Sequence, residues 1–247
     1  MLALIILACL VISLISLIGV FVLFFKNKIT QKHLCSLISF AAGVMLATAF
    51  LNLLPEAMEK ANHHWILATA LVGMGFAFFM ERFFLWYHHH HEETHGLHPS
   101  ALLILFGDGL HNFIDGLSIA AAFLINPALG LTTTIAIAAH EIPQELADYT
   151  VLIHHGMKKT KALWLNFLSA LVAIIGGVVG YYFFSSTQDL IPYVLAIAAG
   201  IFIYIASADL IPELHSHKTK KTKLNQTLPF LLGIALIILI TQLFSHS

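Results

Sequence analysis

Eight apolar runs, each near the twenty residues a helix needs to cross a bilayer, constrain this chain more than any other feature. They fall at residues 2–25, 34–54, 65–87, 101–124, 128–153, 162–184, 190–211 and 228–244. With 59% hydrophobic and 10% charged residues and a mean hydropathy of +0.87, the composition is that of an integral membrane protein. The expected fold is all-α, a single transmembrane domain over 1–247 with the lipid bilayer as its surroundings. No nucleic-acid partner is expected. The first run has no basic residue ahead of it and no small-residue cleavage site, so it reads as a retained span rather than a signal peptide. Cys9 and Cys35 lie in or beside apolar runs and read as small buried hydrophobes.

The basic residues fix an orientation. Lys26, Lys28 and Lys32, then Arg82, then Lys158, Lys159 and Lys161, then Lys218, Lys220, Lys221 and Lys223 all fall on one side of an eight-span chain, and only Lys60 falls on the other. Positive loops are retained in the cytoplasm, which places both termini outside, in a plasma or inner cell membrane. The cytoplasmic loop 88–98, HHHHEETHGLH, gathers His88, His89, His90, His91, His95 and His98 with Glu92 and Glu93. Such a tract binds a borderline metal loosely, or serves as a plain solvated linker.

An internal repeat is visible. AAGVMLATAFLNLLPE, residues 41–56, aligns without gaps to AAGIFIYIASADLIPE, residues 198–213. The two segments run in opposite directions in the eight-span chain, so spans 1–3 and 6–8 form an inverted repeat around spans 4 and 5, an arrangement that puts ligand sites near the midplane. Asn52 with Glu56, and Asp209 with Glu213, then stand at opposite mouths. Gly176 and Gly180 make a small-xxx-small pattern that suits close packing inside the bundle and leaves a homodimer open.

Spans 4 and 5 carry the polar residues that hydrocarbon should exclude. Asp108, His111, Asn112 and Asp115 sit in the first, and His140, Glu141, Gln144, Glu145 and Asp148 in the second. An acidic side chain at a helix centre costs roughly 3 kcal/mol, so five carboxylates approach ~15 kcal/mol if simply added. No Lys or Arg lies in either span to offset them, which leaves a cation from outside the chain. The turn at Asn126-Pro127 makes the two spans antiparallel neighbours. Counted from that turn, His111 and Glu141 both lie ~22 Å away, at one depth. His111 and Asp115, His140 and Gln144, and Glu141 and Glu145 are each spaced i, i+4 and share a face.

Imidazole and carboxylate together suit zinc or another divalent transition metal, whereas an all-oxygen set would suit magnesium or calcium. His111, Asp115, His140 and Glu141 are the expected ligands, with room for two ions, and Glu145 and Asp148 are placed one to two turns toward the cytoplasm on a release path. Pro143 frees the carbonyl of Ala139 and is expected to loosen the helix beside His140. A second reading takes His140-Glu141 and Gln144 as a near match to the HExxH motif of intramembrane metalloproteases, with Gln in place of the second histidine.

GDGLHNFIDG from Gly107 and HEIPQELAD from His140 resemble the signature helices of the ZIP (Zrt/Irt-like) family of metal transporters, and the eight spans and His-rich loop agree with it. The resemblance implies transport of zinc or a similar ion into the cytoplasm by an elevator-like movement of the helices bearing the site, with no enzymatic activity. It implies one ion held by His111, Asp115, His140 and Gln144, and a second by Asn112 and Glu141 with Gln144 bridging. Many relatives have His or Glu at the position of Gln144. Where some carry a span-6 carboxylate, this chain offers only Asn166 and Ser169.

Overall fold

The computed structural model describes residues 1–26, 31–88, 99–154, 157–216 and 222–245, and these are almost entirely helical, with no strand among them. In chain order the elements are α1 (Leu2–Lys26), α2 (Gln31–Thr48), a π-helical segment (Ala49–Leu53), α3 (Leu54–Lys60), α4 (His63–His88), α5 (Pro99–Ile125) and α6 (Pro127–His154). There follow α7 (Lys159–Ala170), α8 (Val172–Ser186), a short 3-10 turn (Gln188–Leu190), α9 (Ile191–Tyr204), a second π-helical segment (Ile205–Leu210), α10 (Ile211–Ser216) and α11 (Thr222–Ser245). Among the described residues five helical stretches are long and apolar enough to cross a membrane, namely Cys35–Lys60, His63–Arg82, Lys159–Ser186, Gln188–Leu210 and Gln226–Leu243. α5 and α6, at 27 and 28 residues, have the length but carry the carboxylates.

The surface confirms the solvent. Trp65, Leu71 and Phe79 on α4 are 62%, 68% and 70% exposed, and Leu231, Leu239 and Leu243 on α11 are likewise outward. A soluble protein does not cover one helix with apolar side chains in this way. The interior is built instead from small residues, among them Ala42, Ala121, Ala136, Ala196 and Ala199, which let the helices approach closely.

The helices pack chiefly as α2 with α11, α4 with α9, α5 with α8, and α1 with α6, while α5 also lies against α6. Glycine makes two of these contacts possible at repeat-equivalent positions. A β-carbon on Gly43 would overlap the backbone of Phe230 in α11, and one on Gly200 would overlap the backbone of Ala70 in α4. The pair in α8 faces inward as well, Gly176 against the backbone of Phe113 and Gly180 against Ala120 and Leu117 of α5. That small-residue pattern is spent on packing within the bundle.

Each π segment ends two residues before a proline, Pro55 and Pro212, in the aligned parts of the repeat. Proline offers no N–H to the carbonyl four residues back, and a π turn accommodates the missing bond. Pro143 behaves differently. The sequence suggests a loosened helix there, and α6 is assigned as one continuous α-helix through it from Pro127 to His154, packed against α1, α2 and α5. A break occurs instead at Leu171, between α7 and α8, where the Ser13 hydroxyl of α1 lies 2.8 Å from the Ala170 carbonyl.

Candidate metal centre

One residue joins the two polar helices. Asn126 stands between α5 and α6 and its Oδ1 accepts the Leu129 N–H at 2.8 Å, while Pro127 opens α6. Asn as N-cap and Pro at the first helical position are the favoured pair for a helix start. The connection sets the register, and it brings His111 and Asp115 of α5 against His140 and Glu141 of α6.

His111 Nε2 lies 3.2 Å from His140 Nε2, 3.7 Å from Asp115 Oδ2 and 3.8 Å from Glu141 Oε1. His140 Nε2 lies 3.5 Å from Asp115 Oδ2 and 3.8 Å from Glu141 Oε1. A tetrahedral zinc ion bonded to N and O at about 2.1 Å sets its ligand atoms about 3.4 Å apart, so these four atoms stand near the corners of such a polyhedron. His140 Nδ1 is 3.1 Å from the Ala136 carbonyl, a partner that only an N–H can serve. The proton therefore resides on Nδ1 and the Nε2 lone pair faces the group. The Phe202 ring of α9 packs edge-on against the His140 ring at 5.8 Å and helps fix its plane.

The site is buried and short of donors. Asp115, His140 and Glu141 are almost fully buried, and His111 alone is partly open. Buried atoms without a hydrogen-bond partner include Asp115 Oδ2, both carboxylate oxygens of Glu141, Asp108 Oδ2, Glu145 Oε1, Asn112 Oδ1 and Asn166 Oδ1. Every one of these is an acceptor, and neither α5 nor α6 contains a Lys or Arg. Acceptor oxygens gathered without donors are the complement of a cation.

A second group lies beside the first. Asp108, Glu141 and Glu145 each offer an oxygen within 4.8 Å of the others, so Glu141 belongs to both groups. Asn112 donates to Asp108 Oδ1 at 3.0 Å. Asn166 of α7 donates to the carboxylate of Glu145 and, at 3.2 Å, to its backbone carbonyl.

Asp108, His111, Gln144 and Asp148 line a cavity of about 360 Å³, together with Glu81, Tyr204 and Asp209. Asn52, Glu56 and Glu59 line another of about 730 Å³ against the Asn126-Pro127 turn, at the far end of α5 and α6. The Thr241 hydroxyl is 2.9 Å from Asn52 Oδ1 there, and Lys60 pairs with Glu56 at 3.4 Å. Glu213 lies one turn beyond Asp209, in α10. Of the loop 88–98, residues 89–98 lie outside the described residues.

The structure thus brings together the four residues that spacing alone suggests. Gln144, which the resemblance puts among the ligands of the first ion, lines the cavity beside His111. Asn112, implied at the second ion, is engaged with Asp108. Asp108 and Glu145, which stand one turn from His111 and Glu141 in their helices, form a carboxylate group with Glu141. Sequence reasoning missed Glu81 and Tyr204, whose hydroxyl donates to Glu81 Oε2 at 2.5 Å across the cavity wall. It also missed that Asn166 holds Glu145.

The family model described as "ZIP Zinc transporter" matches residues 2–99 and 86–241, nearly the whole chain. This chain belongs to the ZIP family. Over 145 residues it is 43% identical to "Zinc transporter foi" of Drosophila melanogaster, covering 58% of this chain and 20% of that protein. It is 37% identical to "Zinc transporter ZIP10" of Danio rerio over 61% of this chain and 19% of the relative. Against "Zinc transporter ZIP13" of Pongo abelii it is 30% identical over 87% of this chain and 69% of the relative. This ZIP chain therefore spans about a fifth of the length of the first two relatives and more than two thirds of the third. Membership in a family of transporters sets the metalloprotease reading aside, in keeping with Gln144 at the position where that motif needs a second histidine.

Proposed function

We propose that this chain carries a divalent transition metal ion, zinc first among them, across a cell membrane into the cytoplasm. The observation that carries the reading is the group His111, Asp115, His140 and Glu141, joined by contacts of 3.2 to 3.8 Å around a buried point where Asp115 Oδ2 and both Glu141 oxygens have no hydrogen-bond partner. The names of relatives such as the zinc transporters of Drosophila melanogaster, Danio rerio and Pongo abelii support the same substrate class.

The ion exchanges its water for these four ligands at the midplane. Eight spans arranged as an inverted repeat carry the site, a reading supported by the matched π segments and by the matched glycine crossings of α2 with α11 and α9 with α4. The cavity holding Glu81, Asp108, Gln144, Asp148 and Asp209 faces the cytoplasm by the positive-inside rule, so this conformation opens inward. Asn52 and Glu56 receive the ion at the opposite mouth, and Asp148 and Asp209, with Glu213 beyond them, guide its release. Elevator-like movement of the helices bearing the site exchanges the two openings.

The test is uptake by purified protein in liposomes. His111→Ala and Glu141→Ala variants inserted at parental levels are expected to lose zinc uptake. Uptake at the parental rate in either would show that the transport site lies elsewhere.

A further inference from the structure

The outer mouth carries a cation of its own. Lys60 ends α3, and its Nζ reaches back one turn to lie 3.4 Å from Glu56 Oε1, the two side chains being 44% and 22% exposed. Glu56 and Glu59 are the charged groups on the wall of the 730 Å³ cavity, beside the neutral Asn52, Asn126, Thr132 and Thr241. Asn52 adds little to their pull on a cation, because its Oδ1 already accepts the Thr241 hydroxyl at 2.9 Å and its Nδ2 is a buried donor without a partner. The cavity therefore attracts cations through Glu56 and Glu59, and among the described residues Lys60 is the base that pairs with Glu56. In the chain it is also the one Lys or Arg on that side of an eight-span arrangement.

We propose that Lys60 is a specificity-determining residue of the outer mouth, a tethered ammonium that occupies Glu56 until a doubly charged ion displaces it. The proposal rests on the reading that this mouth receives the ion. An open pair of carboxylates in a wet cavity fills with the singly charged ions of the medium, which far outnumber a trace metal. The lysine, held on the same helix one turn away, meets Glu56 without the cost of bringing a free ion from solution. A divalent ion gains twice the Coulomb energy of a monovalent one at the same distance from Glu56, and it can draw on Glu59 as well. It displaces the ammonium where a monovalent ion does not. The pair suits this use because it is weak. An exposed ion pair shifts an equilibrium by about two- to fivefold, enough to bias the mouth and too little to close it.

The experiment measures zinc uptake by the full chain in liposomes at roughly 0.01 and 0.1 M potassium chloride, between which the Debye length falls from about 30 to about 10 Å. Lys60→Gln is expected to lower the zinc KM about two- to fivefold at the lower salt with little change in kcat. Its KM is also expected to climb more steeply with salt than the parent's, because potassium then meets an unguarded Glu56. Lys60→Arg, which keeps the charge, is expected to follow the parent at both salt concentrations. A KM in Lys60→Gln equal to the parent's, an equal salt dependence, or the same fall in Lys60→Arg overturns the role of the lysine. Any of these with parental zinc uptake intact sinks Lys60 alone, whereas a parent that takes up no zinc at either salt concentration sinks the transport reading on which it rests.

Discussion

Replacing His140 should weaken zinc binding more than replacing His111, although both imidazoles belong to one group. The two differ in access. The His111 side chain is 20% exposed and lines the inner cavity, while that of His140 is 1% exposed and covered by Phe202. In His111→Ala, water from a cavity of about 360 Å³ can occupy the vacated coordination position. Changes to residues that merely orient a ligand weaken metal binding about 10- to 100-fold, so a ligand exchanged for water should cost about 100-fold, or about 2.7 kcal/mol. In His140→Ala no such water has a route, because that side chain is 1% exposed, so the vacated coordination position stays empty. An ion left one ligand short, with no water in its place, should lose at least about tenfold more than in His111→Ala, or about 1.4 kcal/mol. The assay is zinc competition against a fluorescent chelator, run on variants whose elution and melting match the parent. Equal losses in the two variants, or a larger loss in His111→Ala, would refute the reasoning from access.

Gly200→Ala and Gly43→Ala should each destabilise the protein by about 1–3 kcal/mol, the usual cost of overpacking, because a methyl group there meets the backbone of a crossing helix. Gly75→Ala, with nothing within 4 Å of the new carbon, should melt like the parent in the same detergent, and a shared response of all three would contradict the contact. Gln144→His places an imidazole on the cavity wall beside His111 and should tighten zinc binding about tenfold, since imidazole is a far better ligand than an amide; unchanged affinity would mean that position 144 does not reach the ion. Deleting residues 88–98 should leave zinc uptake by reconstituted protein intact, and abolished uptake in a folded variant would give that loop an essential part.

The helices and the heart of the site were legible because both are written locally. Apolar runs mark helices by their length, and the Asn126-Pro127 turn sets a register from which His111 and Glu141 can be counted to one depth. The i, i+4 spacing of His111 and Asp115 places them on one face of α5. What escaped reading joins residues far apart in the chain. Asn166 reaches Glu145 across 21 residues, and Tyr204 reaches Glu81 across 123. Neither residue belongs to a pattern in its own helix, so only the packing of α7 on α6 and of α9 on α4 could reveal the partner. The three prolines inside or beside helices also differ in their surroundings. Pro143 lies in a continuous α-helix packed against three others, whereas Pro55 and Pro212 follow segments wound as π turns.

Those π turns store a residue. Each winds one more amino acid into its loop than an α-helix would, and the surplus sits just before the end of the helix that leads to a mouth of the bundle. Removing a single residue from Ala49–Leu53 would let the stretch rewind as ordinary α-helix and rotate everything after it by roughly 100°. Glu56 would then swing off the wall of the 730 Å³ cavity while Gly43 kept its seat against α11, so the outer mouth could be re-aimed without disturbing the bundle that supports it.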